Sequence, residues 1–581
     1  MSQDRILVCV AWPYANGEIH VGHVAGAYLP ADIFARYHRL KGNEVLMVSG
    51  SDTHGTPITV RAEKEGVHPK TIFERYHKRF LETLLKLNIS YDLFTHTDTK
   101  LHRELCRKIF LRLLENGYLF KGRQKMLYSE IQNRFLPDRL VEGTCPVCGY
   151  QKARGDECEN CGSMLDGIQL INPKSRVDGS SPVIRETEHY FFDLPKLRTK
   201  LIEYLDSKEN IWRPGVLSFS KQYALNSEAR AFTRDLEWGI SIPIEGEESK
   251  CIYVWYEALA GYLTATVQWA KLMDNKDSWK NYWYDPKTKI YNFLGKDNIL
   301  FHTVLWTSEL LGMENLETQD GRQLNLPYDI PANQYVNLAG QKFSKSQGIS
   351  LDALDLIDEY GVDALRFYLS SVMPETKDTD WDYQDFINKN NSELLAKWGN
   401  LVQRVLSQIW RNFDQCIPFP DEFTFEDREL LAKCDRTFET VGSAIEGCQF
   451  RQALSYAMLL ATEANRYLDS EAPWKTIKTN SQRAATQLFI ASRVIDSLSI
   501  LLSPFIPTNC ERVHALLGFT TPIYGRQYLQ NISDDETSSE YQVIRYDLSA
   551  GSGQWKPSTL SPGQKLKQEP IGVVTKLQPT V

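Results

Sequence analysis

Several features are missing from this sequence of 581 residues, and each absence excludes a class of protein. No apolar run approaches the roughly 18 residues needed to cross a bilayer, so we predict no transmembrane helix and no membrane partner. No basic leader with a small-residue cleavage site opens the chain, which favours a cytoplasmic protein. The motifs GxxxxGK[ST] and GxGxxG after a strand are also absent, which excludes P-loop and dinucleotide-binding proteins. The net charge of −8 gives no global attraction for nucleic acid, so any such contact must come from a local face.

The eleven cysteines fall into two groups. Seven are scattered, and we expect them to be reduced, mostly buried thiols. The other four form two CxxC pairs, Cys145 with Cys148 and Cys158 with Cys161, and a glycine follows each pair. Four thiolates at this spacing are typical of a closed tetrahedral zinc site. A redox dithiol or a disulfide is the alternative, and a catalytic zinc is disfavoured because four cysteines leave no open position.

The order of the predicted elements indicates an α/β protein followed by an all-α region. Residues 5–11 and 44–50 are short apolar runs typical of buried strands, and residues 24–40 between them have a helical pattern, so together they predict a βαβ unit and a parallel sheet. Further helical patterns and strand-like runs follow. We predict helices at 69–87, 100–116, 351–360 and 363–371, strands at 251–255, 290–294 and 334–338, and helices throughout 385–517.

These patterns predict a catalytic domain that is divided by an insertion. We place the boundaries at 1–116 and 251–384 for the two catalytic halves, 117–250 for the insertion with the cysteines, 385–534 for the helical domain and 535–581 for an extended polar tail.

Two short motifs suit the binding of phosphate. The segment His20-Val21-Gly22-His23 lies between the first strand and the first helix, where free backbone N–H groups and the helix dipole favour an anion. Gly22 lets a ligand approach the backbone, and the two imidazoles can donate hydrogen bonds. The segment Lys342-Phe343-Ser344-Lys345-Ser346 could clamp a polyphosphate. Taken alone, each motif could equally be an ordinary surface loop.

Together, the two motifs resemble the HIGH and KMSKS signatures of class I aminoacyl-tRNA synthetases. Three further stretches resemble the methionyl-tRNA synthetase family: residues 11–17 (AWPYANG), 50–57 (GSDTHGTP) and 253–258 (YVWYEA). The resemblance extends from residue 4 to about residue 530. It implies a Rossmann-like catalytic domain with a zinc-knuckle insertion and an all-α anticodon-binding domain. Some relatives carry a second knuckle, but residues 172–179 contain no cysteine here, so we expect one zinc.

The resemblance also implies site residues. Asp52 follows the second strand, at the edge of the sheet where ligands of open α/β sheets bind, and would hold the amino group of methionine. Tyr14, Trp255, Ala258, Tyr262 and His302 match the pocket for the methionine side chain, whose soft thioether suits aromatic surroundings. Trp12 and Leu259 depart from the residues that relatives often carry, leucine and proline respectively. Without the resemblance, core packing is the simpler interpretation of Trp255 and Tyr262.

A third group of implied site residues lies in the helical region. Asn400 and Arg404 are four residues apart, on the face opposite an apolar stripe, and Trp474 lies in the segment NRYLDSEAPWK. These three match the family's anticodon-reading residues. A solvated face with an ordinary tryptophan at a helix end is the alternative.

The function implied is activation of L-methionine by ATP to methionyl-adenylate, and transfer to the 3′ end of tRNA(Met). His20, Gly22 and His23 would bind ATP together with Lys345, and Lys342 and Lys345 would stabilise the transition state. Mg²⁺ is expected with ATP, and a monomer is expected. The alternatives are a class I synthetase for another amino acid, and a non-catalytic zinc-knuckle protein that binds nucleic acid.

Overall fold

A computed structural model gives the fold of the chain. It describes residues 3–136, 140–156, 158, 160–163, 165–316, 321–338, 341–342, 351–534 and 539–578.

The first catalytic half alternates strands and helices, as predicted. Its elements are β1 (Arg5–Val10), α1 (Val21–His23), a π-helical segment (Val24–Tyr28), α2 (Leu29–Leu40), β2 (Glu44–Ser51), α3 (Thr56–Glu65), α4 (Pro69–Lys86), β3 (Leu93–His96) and α5 (Lys100–Glu115). The strand β1 lies between β2 and a later strand, and alternate residues of β1 enter two different cores. Ile6 and Val8 face one core, and Leu7 and Cys9 face the other. Burial on both faces explains why this strand is continuously apolar.

The insertion is mostly antiparallel sheet. Its elements are β4 (Leu119–Ser129), β5 (Arg134–Phe135), β6 (Val141–Thr144), β7 (Ala153–Arg154), β8 (Ile171–Ser175), β9 (Val183–Phe192), α6 (Leu194–Asp206), α7 (Pro214–Leu225), β10 (Arg230–Ala231), β11 (Thr233–Asp235) and β12 (Lys250–Ile252). Strands β7, β6 and β8 form a small sheet beside the clustered cysteines. Helices α6 and α7 contribute Leu197, Leu201 and Val216 to the same core as β1, so this part of the insertion packs against the catalytic domain.

The second catalytic half completes the parallel part of the sheet. Its elements are α8 (Val254–Leu272), α9 (Lys280–Trp283), β13 (Lys289–Gly295), a π-helical segment (Phe301–Trp306), α10 (Thr307–Gly312), β14 (Ala332–Asn333), β15 (Val336–Leu338), β16 (Gln341–Lys342), α11 (Ala353–Tyr360), α12 (Val362–Ser371) and β17 (Thr379–Trp381). The strand predicted at 251–255 is wrong beyond Ile252, because α8 begins at Val254. Most of α8 is buried, so its apolar sequence lacks the one-sided pattern that distinguishes a surface helix.

The helical region has the predicted character. Its helices are α13 (Tyr383–Lys389), a π-helical segment (Asn390–Gly399), α14 (Asn400–Asn412), α15 (Phe425–Glu446), α16 (Phe450–Glu471), α17 (Pro473–Thr476), α18 (Ser481–Leu502) and α19 (Pro507–Leu516). Within the described residues, α18 is the one helix long and apolar enough to span a membrane by length and composition, and 94% of its apolar window is buried inside the protein.

The extended tail predicted from residue 535 is wrong. Strands β18 (Arg526–Asp534) and β19 (Ser539–Asp547) form an antiparallel hairpin, and β19 pairs with β3. The central sheet therefore has seven strands in the order β14-β13-β1-β2-β3-β19-β18, of which the first five are parallel. The chain then packs along the helical region and buries Leu560, Leu566 and Val573, because these apolar side chains find partners in its core.

Candidate active site

A cavity of about 300 Å³ lies at the carboxyl edge of the parallel strands. Residues just after β1 form one wall, and the amino end of the helix that begins at Val21 forms another. Its lining includes seven residues of interest: Trp12, Tyr14, His20, Gly22, His23, Trp255 and Phe301. The structure therefore brings the first phosphate-binding motif and part of the predicted methionine pocket into one site.

The two histidines of the first motif are in direct contact. Their ring centroids are 3.7 Å apart, and the backbone N–H of His20 donates to Nδ1 of His23 at 3.2 Å. The π-helical segment Val24–Tyr28 follows at once, and the ring of Tyr28 stacks on His23 at 6.3 Å. These contacts hold both imidazoles at the mouth of the cavity.

The described residues on either side of the lysine motif lie near this site. The backbone of Lys342 pairs with Asn337, and Phe343 and Lys345 lie outside the described residues. Where the chain is described again, the carbonyl of Leu351 accepts from the N–H of Val21 at 3.2 Å, and the N–H of Ala353 donates to Ile19 at 3.0 Å. Leu351 and Ala353 therefore lie beside the histidine motif, although more than 300 residues separate the two segments in sequence.

Asp52 lies immediately after β2 and is 4% exposed. Its backbone N–H donates to Pro13 at 2.9 Å and its carbonyl accepts from Ala15 at 3.0 Å, so the residue pairs with Tyr14 across the pocket wall. Burial raises the pKa of the Asp52 carboxyl well above its usual range, and the charge of Glu257 raises it further. A buried carboxylate of this kind gains much from a cationic partner such as an ammonium group.

The predicted methionine pocket consists of packed aromatic rings and one hydrogen-bonded pair of polar side chains. Tyr14 meets Trp255 edge to face at 6.0 Å, and Trp255 stacks on Phe301 at 3.7 Å. The Tyr262 hydroxyl lies 2.7 Å from Nε2 of His302. Because His302 Nδ1 faces a backbone carbonyl at 2.9 Å and must donate to it, Nε2 of the neutral ring accepts from Tyr262.

Two other features of the pocket support this arrangement. Burial lowers the pKa of His302 to about 4, so the ring is neutral at physiological pH. Ala258 is buried on the same helix as Trp255 and Tyr262.

Three glycines that the sequence analysis missed shape this pocket. A Cβ on Gly55 would lie 2.0 Å from the Tyr14 ring, and a Cβ on Gly50 or Gly261 would lie 2.1 or 2.8 Å from Trp12. Trp12 therefore occupies space that only glycine leaves open. Two of these glycines, Gly50 and Gly55, lie in the GSDTHG motif, so that motif could have identified them from the sequence.

The four clustered cysteines fit a zinc ion. Their sulfur atoms all lie within 4.8 Å of one another, with Cys145 Sγ to Cys161 Sγ at 3.9 Å and Cys148 Sγ to Cys158 Sγ at 3.6 Å. A tetrahedral zinc with Zn–S bonds of about 2.3 Å needs sulfur separations of about 3.8 Å.

The two turns that carry the cysteines are alike. Gly149 donates to the carbonyl of Cys145 at 3.0 Å, and Gly162 donates to that of Cys158 at 2.8 Å. Both glycines have positive φ, +76° and +69°, which a glycine adopts without strain.

The three residues predicted to read the anticodon are placed on the helical region. Arg404 lies over the Trp474 ring at 4.7 Å and pairs with Asp469 at 2.7 Å. Asn400 is exposed one turn earlier on the same helix, and Trp474 is half-buried against the helical core. Arg404 and Trp474 thus form one polar and aromatic patch.

Comparisons with known proteins agree with this geometry. Residues 6–406 match the family model described as tRNA synthetases class I (M), and residues 417–537 match the anticodon binding domain of methionyl tRNA ligase. The methionine–tRNA ligase of Thermomicrobium roseum is 48% identical over 97% of this chain and 95% of its own length. That of Roseiflexus castenholzii is 47% identical over 100% of this chain and 97% of its own length.

A solved structure is similar over the same extent. Mycobacterium tuberculosis methionyl-tRNA synthetase in complex with methionyl-adenylate superposes with a TM-score of 0.75 at 25% identity, over 99% of this chain and 100% of that chain. With the family models and full-length relatives, this similarity shows that the chain belongs to the methionyl-tRNA synthetase family of class I aminoacyl-tRNA synthetases.

Proposed function

We propose that this chain activates L-methionine with ATP and transfers the methionyl group to the 3′ end of tRNA(Met). The observation that carries the proposal is the convergence of His20, His23, Asp52 and the aromatic pocket at one edge of the parallel sheet. A phosphate-binding helix end and a carboxylate beside an apolar aromatic pocket suit an amino acid that reacts with a nucleotide.

In the first step, a carboxylate oxygen of methionine attacks the α-phosphorus of ATP. A new P–O bond forms, the bond to the β-phosphate oxygen breaks, and pyrophosphate leaves. In the second step, a ribose hydroxyl at the tRNA 3′ end attacks the methionyl carbonyl and AMP leaves. No residue of the chain forms a covalent bond, so catalysis depends on positioning and charge stabilisation.

Each group of residues has a proposed task in these steps. Asp52 binds the methionine ammonium group, and Tyr14, Trp255, Ala258, Tyr262 and His302 enclose its side chain. His20, Gly22 and His23 bind ATP, and Lys342 and Lys345 stabilise the charge that develops as pyrophosphate leaves. Mg²⁺ would bind together with ATP, coordinated by its phosphates, and we assign no residue of the chain as its ligand.

On the helical region, Asn400 and Arg404 would donate to base edges of the anticodon, and Trp474 would stack on one base. Single-stranded bases are recognised in this way, by stacking and by hydrogen bonds to their edges. We also propose that the protein is a cytoplasmic monomer, which sedimentation of the purified chain tests.

The experiment that tests the function is amino-acid-dependent exchange of pyrophosphate into ATP, run with each standard amino acid separately. Exchange with methionine alone is the expected result. Exchange with leucine, isoleucine, valine or cysteine instead would mean a different class I synthetase. No exchange with any amino acid would mean a nucleic-acid-binding protein without this catalysis.

The zinc has its own test. Metal analysis of the purified chain should find one zinc, and Cys145→Ser should lower the zinc content and destabilise the insertion, because metal binding and folding of a knuckle are coupled. Absence of zinc, or two zinc ions per chain, would contradict the assignment.

A further inference from the structure

A buried network of ionisable side chains lies directly behind Asp52. The N–H of His54 donates to the Asp52 carboxylate at 3.3 Å, and Nδ1 of the His54 ring contacts Oε1 of Glu257 at 3.0 Å. The other carboxylate oxygen of Glu257 contacts Nε2 of His102 at 2.8 Å. All four residues are at most 4% exposed, so solvent screens none of these charges effectively.

The network joins three elements of the pocket. His54 lies in the loop after β2, His102 lies on α5, and Glu257 lies on α8 between Trp255 and Ala258. Nδ1 of His102 lies 2.9 Å from the Thr264 hydroxyl, which also bonds the Gly261 carbonyl at 3.0 Å. His102 is therefore fixed by α8 at both ring nitrogens.

The positions of the charges make His54 the critical member. Burial and Glu257 both raise the pKa of Asp52, and the charge of His54 opposes them. Burial alone would lower the pKa of His54, but Glu257 and Asp98 outweigh it and raise the pKa to about 10. Without the His54 ring, the charge of Glu257 would act on Asp52 without this opposing charge, and nearby buried carboxylates favour protonation of one of them.

The neighbouring ionisable groups do not replace His54. Asp98 lies 3.6 Å from Nε2 of His54 and is itself paired with Arg103 at 2.5 Å. The other groups near the network are His96 at the end of β3, Cys106 and Arg107 on α5, Cys251 in β12 and Glu309 in α10. Cys106, His102 and Glu257 bring ligand-type atoms within 4.8 Å, but the direct contact between His102 and Glu257 makes a hydrogen-bonded network the better interpretation than a metal site.

Resting on the proposed function, we propose that His54 is a positioning residue: its ring pairs with the Glu257 carboxylate and offsets the charge that Glu257 places near Asp52, so that Asp52 stays ionised and oriented toward the ammonium group of methionine. Glu257 in turn holds the His54 ring in place and links it to the helix that carries Trp255 and Ala258. His54 itself does not touch the reacting atoms.

The test compares three variants in pyrophosphate exchange: His54→Gln, Glu257→Gln and the double variant. His54→Gln should raise the KM for methionine at least about tenfold, as expected when a charge-assisted contact is weakened, with little change in the KM for ATP. Its kcat/KM for methionine should also decline as the pH falls from mildly basic to mildly acidic, because Asp52 then takes up a proton at a higher pH than in the wild type.

The Glu257 variants separate charge compensation from simple packing. Glu257→Gln removes the carboxylate that opposes ionisation of Asp52, so its KM for methionine should stay within about threefold of wild type. The double variant should recover most of the loss seen in His54→Gln. His68→Gln is the matched control, since His68 contacts the same Trp238 ring as His54 but is exposed and outside the network.

An unchanged methionine KM in His54→Gln, or a double variant no better than the single one, would overturn the proposal. If His54→Gln does not fold, Glu257→Gln decides, because a rise of about tenfold or more in its methionine KM would mean a packing role. Exchange by the wild-type chain is measured in parallel. Its failure would count against the proposed function, whereas wild-type exchange with unaffected variants would count against His54 alone.

Discussion

The methionine pocket and the patch around Arg404 both combine aromatic rings with charged groups, but they differ in how those charges are held. In the pocket, Asp52 and Glu257 are buried, the Asp52 carboxylate accepts from the His54 N–H in its own loop, and the Glu257 carboxylate contacts the His54 ring on a different element. On the helical region, the side chain of Arg404 is 37% exposed and that of its partner Asp469 is 66% exposed. A buried charge pair is costly to break, whereas an exposed pair exchanges readily with another partner. The charges of the pocket are therefore preorganised, whereas those of the patch on the helical region can exchange partners.

Replacing Asp52 should give the largest effect and should be confined to methionine. Asp52→Asn removes a charge-assisted contact to the ammonium group, which is worth about 1.5–3 kcal/mol, or about 10- to 150-fold in kcat/KM for methionine. Exchange assays at varied methionine and varied ATP measure it, with ATP affinity as the internal control. Unchanged KM and kcat for methionine would show that Asp52 is not the partner of the amino group.

Replacing Trp474 tests the patch around Arg404 on the helical region. Trp474→Ala should lower kcat/KM for tRNA about 5- to 150-fold, because stacking on an unpaired base is worth roughly 1–3 kcal/mol. Methionine activation should stay near the wild-type value, since Trp474 lies beside Arg404 on the helical region and does not line the cavity at the sheet edge.

The measurement is exchange and tRNA charging on one purified variant, with an anticodon-altered transcript beside tRNA(Met). If Trp474 only packs against the helical core, the variant will lose thermal stability and keep its anticodon preference. Equal losses in exchange and charging would also refute the assignment.

A methyl group in the pocket should have a smaller effect. Gly55→Ala places a Cβ 2.0 Å from the Tyr14 ring, which must then move. Overpacking of this kind costs about 1–2 kcal/mol, so we expect the methionine KM to rise about 5- to 30-fold. Gly572→Ala is the matched control, because a Cβ there meets nothing within 4 Å. Equal methionine KM values in the two variants would show that the Tyr14 ring is not held in place.

The smallest effect is expected at the exposed ion pair. Asp469→Asn removes the carboxylate that competes with RNA for the Arg404 guanidinium, and exposed pairs are worth about 0.2–1 kcal/mol. Charging of tRNA(Met) should therefore improve by at most about fivefold, and methionine activation should not change. A decline in charging would mean that Asp469 orients Arg404 for RNA and does not compete with it.

An element could be predicted from the sequence where its apolar residues follow the pattern of its buried faces. Residues 5–10 were recognisable as a strand because both faces are buried, and α16 shows a clear helical pattern. The hairpin was missed because the nine residues of β18 alternate weakly and most are exposed or half-buried. Its pairing with β3 depends on a contact between distant parts of the chain, which no local pattern contains.

The same distinction applies to the active site. His20, Asp52 and Trp255 lie in short motifs, so they could be named from the sequence; in the structure His20 and Trp255 line the cavity, and Asp52 pairs with Tyr14, which also lines it. The link from His54 to Glu257 joins residues 203 positions apart and depends on how α8 packs beneath β2. Such contacts are set by the fold, so only the structure could show them.

The pairing of β19 with β3 has a consequence for synthesis on the ribosome. Ile544 emerges from the ribosome long after its neighbour Phe94, so the outer edge of β3 stays without its native strand over that interval. An open strand edge can pair with the wrong chain, and contacts between distant residues form slowly. The nascent catalytic domain should therefore be prone to aggregation until β18 and β19 have been synthesised. We expect a chaperone to protect the edge of β3 during this interval.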